Sequence, residues 1–185
     1  MKLNNKDIIR KRIKEKILRI KNRTKKNLII YNKVVNSKCF KNSKDIFIYI
    51  SFNGEVDTHK IIKRALELKK NVFVPRIDGE EIKIVPLRDF SRLKKGKFGI
   101  LEPMEKEIQK KNFDIIIIPG IAFDLKLNRL GRGKGYFDRF LKKVKGRKIA
   151  LAFEEQLVEN LPVETYDIKM DIIVTDEREI NNIFS

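Results

Sequence analysis

Phe113-Asp-Ile-Ile-Ile-Ile-Pro119, followed at once by Gly120, is the stretch on which the fold turns. Four consecutive isoleucines leave no polar face. A strand of this composition is covered on both sides, as in a parallel sheet layered by helices. Upstream, Asp45-Ile-Phe-Ile-Tyr-Ile-Ser51 and Asn71-Val-Phe-Val-Pro75 read the same way. Between them Ile61, Ile62, Ala65, Leu66 and Leu68 form one apolar stripe of a helix, with Thr58 placed to cap it. Ile82, Ile84 and Pro86 alternate as a more edge-like strand, and a polar loop with Gly96 and Gly99 follows. Downstream, residues 120–134 show little regular pattern, a helix is expected over 136–144, and strands over 148–152 and 171–175. At the start of the chain, Ile9, Ile13, Ile17 and Ile20 mark a helix opening after Asn4 or Asn5, and a second helix is expected over 25–36. Strand–helix–strand order predicts an α/β fold: an open, mostly parallel twisted sheet with helices on both faces, three-layered and Rossmann-like, in one domain over 1–185.

Composition narrows the function. The 185 residues suffice for a substantial core. No apolar run approaches the roughly 20 residues that span a bilayer, and the basic N-terminus leads into an amphipathic pattern, so a soluble cytoplasmic protein is expected. One cysteine, Cys39, excludes an internal disulfide and a cysteine-rich metal site; it reads as a helix-end residue. One histidine, His59, excludes chemistry that needs two imidazoles, and is expected to face water. The formal charge of +18 admits an anionic partner, but the lysines are spread over nearly every segment, as on a generally solvated basic surface.

In an open α/β sheet, ligands bind beyond the carboxyl ends of the strands. Three segments hold that position: Phe52-Asn-Gly-Glu-Val-Asp-Thr58, residues 119–138, and the run around 167–171. The second contains Arg129-Leu-Gly-Arg-Gly-Lys-Gly-Tyr-Phe-Asp138. Its alternate glycines, Gly131, Gly133 and Gly135, let a backbone approach a ligand and aim several N–H groups one way. Arg132 and Lys134 lie between them, and the helix that follows adds its free N–H groups. The pattern points to a polyanion cradle; the alternative is a flexible basic loop closing a helix. It is not a P-loop, since Gly135 follows Lys134 where Ser or Thr is required, and Asn128 occupies the first glycine position. Nor is it a dinucleotide fingerprint, because Tyr136 replaces the last glycine.

Other residues carry two readings each. Asp138 and Asp171 could bridge to phosphates through Mg2+, which commonly takes one or two carboxylates plus phosphate oxygens; otherwise they are a helix N-terminal charge and a solvated strand end. Lys6 and Arg10, four apart, share a helix face. They could clamp phosphates, or be a solvated face. Glu55 is a candidate ligand-binding carboxylate or part of a surface turn.

Together these segments resemble the 5-formyltetrahydrofolate cyclo-ligase family, also called 5,10-methenyltetrahydrofolate synthetases. The resemblance runs through Lys6-Asp-Ile-Ile-Arg10, Ser51-Phe-Asn-Gly-Glu-Val-Asp-Thr58, Lys70-Asn-Val-Phe-Val-Pro75, Lys97-Phe-Gly-Ile-Leu-Glu-Pro103 and Ile118-Pro-Gly-Ile-Ala-Phe-Asp124. Its most specific part is Asn128-Arg-Leu-Gly-Arg-Gly-Lys-Gly-Tyr-Phe-Asp-Arg139, and Leu161-Pro-Val-Glu-Thr-Tyr-Asp167 with Asp171 and Thr175 completes it. The resemblance implies that ATP and 5-formyltetrahydrofolate, free or polyglutamylated, give 5,10-methenyltetrahydrofolate, ADP and phosphate, with Mg2+. It implies that Lys6, Arg10, Arg129, Leu130, Gly131, Arg132, Gly133, Lys134, Gly135, Tyr136 and Phe137 meet ATP. Ile50, Glu55, Arg132, Gly133, Lys134, Gly135 and Tyr136 would meet folate, and Asp138 and Asp171 the metal. Lys134, Arg132 and Tyr136 would carry the chemistry. Two positions depart from the family: Phe137 stands where a second tyrosine is usual, and Tyr166 where histidine is frequent. A monomer without nucleic-acid or membrane partners is expected. The competing readings are a basic nucleic-acid-binding α/β domain, which would need exposed aromatics on a basic face, and another enzyme of ATP or sugar phosphates.

Overall fold

The computed structural model describes residues 5–95 and 101–181. Helices α1 (Asn5–Leu18), α2 (Arg23–Asn36) and α3 (Lys38–Asn42) precede strand β1 (Asp45–Ile48). There follow α4 (His59–Glu67), β2 (Asn71–Asp78), β3 (Glu81–Leu87), and the short pair β4 (Leu93–Lys95) and β5 (Leu101–Pro103). Then come β6 (Asn112–Ile118), β7 (Ala122–Asp124), β8 (Arg129–Leu130), α5 (Tyr136–Leu141) and β9 (Lys145–Leu151). The chain ends on β10 (Leu157–Val158), β11 (Ile172–Val174) and β12 (Glu179–Asn181). The expected loop with Gly96 and Gly99 and the expected cap Asn4 lie outside the described residues, as does much of the 97–103 motif.

The main sheet has seven strands in the order β12-β11-β9-β6-β1-β2-β3. Its five central strands are parallel, and β3 and β12 close the two edges antiparallel. Alternation along the isoleucine run sorts the core. Ile115 and Ile117 join Ile46, Ile48, Val72, Val74, Ile149 and Val174 on the face covered by α2, α3 and α4. Ile116 and Ile118 join Phe47, Phe73, Ala150 and Ile173 on the face covered by Phe140 and Leu141 of α5. Both faces are therefore dry, which is why the run shows no polar alternation. Phe47 stacks on Phe140 with ring centroids 4.4 Å apart.

Residues 120–134 are more regular than expected. Gly120 opens a second, three-stranded sheet in the order β10-β7-β8, and α1 packs on it. Ile13 and Ile17 bury against Ile121, Ala122, Leu130 and Leu161. These strands are two or three residues long, too short for any periodicity to register. Other expectations need correction. The α5 helix stops at Leu141 rather than 144. Thr58 does not cap α4 with its side chain; its hydroxyl instead donates to the Tyr49 carbonyl at 2.8 Å and accepts from the Ser51 amide at 3.0 Å, pinning the loop after β1. His59 is half-buried against Asp57 and the edge of Phe90 instead of facing water. Strand β12, helix α3 and the β4–β5 pair have no counterpart in the sequence pattern read above. Among the described residues no helix is long and apolar enough to cross a membrane.

Candidate active site

From β1 the chain passes to β2 on one side; it later returns to lay β6 on the other. Neighbouring strands thus send their following loops in opposite directions, leaving a crevice beyond their carboxyl ends. The loop after β1 is tied by its own hydrogen bonds. The Tyr49 hydroxyl donates to the Val56 carbonyl at 2.9 Å, and Asn53 and Gly54 turn the chain at positive φ. Glu55 folds back so that one carboxylate oxygen accepts the Phe52 amide at 2.9 Å. Its side chain is only 12% exposed, and Ile50, just after β1, is buried. Burial pushes the Glu55 carboxyl above its ordinary value, with Arg132 opposing the shift.

Across the crevice lies the glycine loop, carried by the small sheet. Asp124 is fully buried; it accepts the Lys126, Asn128 and Leu161 amides at 3.0 Å each and the Asn128 side-chain amide at 2.9 Å. That hub fixes the β7–β8 turn, and β8 delivers Arg129 and Leu130 directly into the loop.

Each glycine of the loop faces a different arginine. A Cβ on Gly131 would stand 3.0 Å from the Arg129 guanidinium, one on Gly133 3.5 Å from Arg10, and one on Gly135 2.9 Å from Arg139. Gly133 and Gly135 also adopt positive φ, whereas Gly131 is not among the positive-φ residues, so only packing asks for glycine there. Arg10 donates to the Gly131 carbonyl at 2.9 Å. Arg129, with a side chain 2% exposed, donates to Asp138 at 2.6 Å and to the Pro119 carbonyl at 3.3 Å, and its Nε is buried without a partner. Arg132 reaches over the crevice to Glu55 at 2.7 Å. The exposed Lys134 side chain meets no partner among the described residues. Phe137 packs into both cores beneath Arg129.

The structure thus brings Arg10, Arg129, Arg132, Lys134 and Glu55 to one place. Lys6 is on the same helix but is engaged elsewhere: it is buried and bonds Asp167 at 2.8 Å and Glu164 at 3.1 Å, with Tyr166 alongside. Burial alone would lower its ammonium, but the two carboxylates outweigh that and hold it above its ordinary value. Asp171 sits three residues before the carboxyl end of β11 and takes the Lys148 amide at 2.7 Å and ammonium at 2.9 Å. Among the described residues no group of three or more His, Cys, Asp or Glu gathers as a ready-made cage. Asp138 fits an ion that also binds phosphate oxygens, because it lies in the first turn of the helix directly after the loop. Asp171 fits it less well.

Three residues inside the quoted motifs were given no role by sequence reading. Asp167 and Glu164 act as counter-ions to Lys6. Arg139 donates to the Lys134 carbonyl at 3.0 Å and to the Glu80 carbonyl on the β2–β3 turn. Partners 59 residues away in sequence leave no local signal; the Gly135–Arg139 spacing of one helical turn was the available hint.

Comparison with known proteins gives the family. The sequence model of the 5-formyltetrahydrofolate cyclo-ligase family matches residues 2–176. A 5-formyltetrahydrofolate cyclo-ligase of Mus musculus is 32% identical over 91% of this chain and 92% of its own length. One from Haemophilus influenzae is 34% identical over 71% and 76%. The solved 5,10-methenyltetrahydrofolate synthetase of Aquifex aeolicus superposes with a TM-score of 0.86 at 33% identity, covering 97% of this chain and 93% of that one.

Proposed function

We propose, since this chain belongs to the 5-formyltetrahydrofolate cyclo-ligase family, that it converts 5-formyltetrahydrofolate to 5,10-methenyltetrahydrofolate at the expense of ATP, with Mg2+. The supporting observation is the Arg132–Glu55 contact. It joins a buried carboxylate on one side of the crevice to a cationic loop on the other, so one site holds complementary halves for two unlike ligands. Glu55 suits the planar paired N–H donors of a pterin's aminopyrimidine edge. The loop suits a polyphosphate.

In the reaction the formyl oxygen attacks the γ-phosphorus and ADP leaves. N10 then attacks the activated carbon, closing the ring, and the former formyl oxygen departs with phosphate. A formyl amide oxygen is a weak nucleophile, so the protein must act through positioning and charge. Lys134, unpaired among the described residues, is free to turn onto the transferring phosphoryl group. Arg10 and Arg129 hold the backbone around it. Arg132 is released from Glu55 when the pterin edge takes its place, and so becomes available to phosphate as folate binds. Tyr136, at the first position of α5, borders the loop. A magnesium ion at Asp138, joined by Asp171 as the family resemblance implies, would neutralise phosphate charge; Asp138 would exchange Arg129 for it and Asp171 would exchange Lys148.

A basic nucleic-acid-binding surface finds no support in the aromatic residues: among the described ones only Tyr166 is exposed. The test is direct spectrophotometry of methenyl-folate formation. Product is expected only with ATP and divalent metal present, with one ADP and one phosphate per ring closed. Product formed at the same rate without ATP, or none under any condition, would overturn the proposal.

A further inference from the structure

The tip of the β2–β3 hairpin lies against α5 along one line of contacts. The Tyr136 hydroxyl donates to the Gly79 carbonyl at 3.3 Å. Arg139 donates to the Glu80 carbonyl at 2.6 Å and to the Lys134 carbonyl at 3.0 Å, with its guanidinium over the Tyr136 ring. Lys143 pairs with Glu81 at 2.6 Å. Residues 136, 139 and 143 are spaced three and four apart, so they form one face of the helix and its end, and they meet three consecutive hairpin residues in order. The hairpin itself is long and regular, with register kept from Val72↔Leu87 to Asp78↔Glu81. It is therefore a stiff arm reaching from the core to the glycine loop.

We infer that Arg139 is a positioning residue: it straps the Lys134 carbonyl to the hairpin tip and so fixes the direction in which the Lys134 side chain leaves the loop. Gly135 belongs to the same device, since a Cβ there would stand 2.9 Å from the Arg139 guanidinium. The chain turns at Gly135 with φ +66°, and Arg139 fills the space that the missing Cβ leaves. Because Arg139 bonds only main-chain oxygens there, the strap does not depend on hairpin side chains at that point. Its consequence for catalysis rests on the proposed function above; its consequence for the loop does not.

Two measurements separate those claims. The first is limited trypsin cleavage of ligand-free protein, reading early cleavage after Arg132 and Lys134 against cleavage elsewhere. Arg139→Met should speed cleavage at those two bonds about threefold to tenfold, the range of one or two modest hydrogen bonds. Arg139→Lys, which keeps one donor, should fall between. The second is steady-state kinetics. Arg139→Met should lower kcat by a similar factor, with a smaller rise in the KM for ATP and a thermal midpoint near that of wild type. A purely structural role would lower the midpoint and increase cleavage across the chain equally, which would overturn the inference. So would cleavage at Arg132 and Lys134 unchanged from wild type. If the wild-type chain itself shows no ring closure, the activity reading fails, and the cleavage comparison still decides the strap.

Discussion

The seven-stranded sheet and the three-stranded sheet beside it differ in strand length and in how much polar contact holds them. The large sheet is closed by aliphatic and aromatic contact on both faces, and its strands run up to eight residues. The small sheet has strands of two and three residues and packs on α1 through a small apolar cluster of Ile13, Ile17, Ala122 and Leu130, with polar ties beside it: Asp124 at the β7–β8 turn, and Gln156 donating to the carbonyls of Gly120 and Ile121 at 2.9 and 3.1 Å. The cationic glycine loop grows from the small sheet. On the proposed function, most of the stability lies in one layer and the chemistry in the other, and a change in one layer should leave the other's property nearly intact.

The largest expected effects test that division directly. Phe47 is fully buried between Phe113 and Phe140. Phe47→Ala should cost about 3–5 kcal/mol of stability, read by denaturant unfolding, while the folded fraction turns over at a near-normal rate. Lys134→Met should do the reverse. Removing one charge that acts on a transferring group costs roughly 10²–10³ in kcat, with a smaller rise in the KM for ATP and an unchanged unfolding midpoint. If Lys134→Met turns over at wild-type rate under saturating ATP, the loop is a structural turn and the division fails.

The same division explains what was legible in the sequence. Hydrophobic runs such as Ile115 to Ile118 report burial directly, so the strands of the large sheet other than β12, their mostly parallel arrangement and the two covering layers could be read. Motif spacing reported the loop, and Arg10 does meet it as a residue sharing the helix face with Lys6. What could not be read were contacts set by tertiary approach. Glu55 and Arg132 lie 77 residues apart and Lys6 and Asp167 lie 161 apart. The alternate glycines were legible as close-approach positions, but not that each would face an arginine. Thr58 misled because its hydroxyl has a better partner in Tyr49 than in the helix it precedes.

Glu55 sharpens the comparison at the crevice, where the two layers meet. Glu55→Gln keeps the shape and removes the charge, so folate binding should weaken by about 1.5–3 kcal/mol, read by titration, with ATP binding near normal. Equal loss of both ligands would indicate a folding defect. Acidity gives an independent check. Burial raises the Glu55 carboxyl, so it should take up its proton at a higher pH than a solvated glutamate. Folate affinity of the wild type should therefore fall on the acid side already above the usual glutamate range, and Glu55→Gln should lack that limb. For stability the sign is the other way. A raised carboxyl favours the folded state below the unfolded-state value, and that contribution is lost as pH rises through the folded-state value. Glu55→Gln should accordingly gain relative to wild type as pH rises towards neutrality.

The smallest expected effects concern the two aspartates, and they distinguish the layers within a single proposed metal site. Asp138 belongs to the loop side: it lies in the first turn of α5 and carries Arg129, whose side chain is almost wholly buried. Asp171 belongs to the large sheet: it bridges to Lys148 on β9, is 40% exposed, and stands about 10 Å short of the strand ends at roughly 3.3 Å per residue. If magnesium is held beside the phosphates, Asp138→Asn should raise the magnesium concentration for half-maximal rate by roughly tenfold, the scale expected for one charged oxygen made neutral. Asp171→Asn should raise it less, about twofold to threefold, because its carboxylate can reach the ion only by leaving Lys148. Titrating Mg2+ at fixed saturating ATP reads both variants on one axis. Equal and large shifts would mean that Asp171 swings to the loop when ligands bind, so that the two layers share the ion. An unchanged magnesium requirement in both would remove the carboxylates from the metal site and leave Arg129 as the only partner that Asp138 serves.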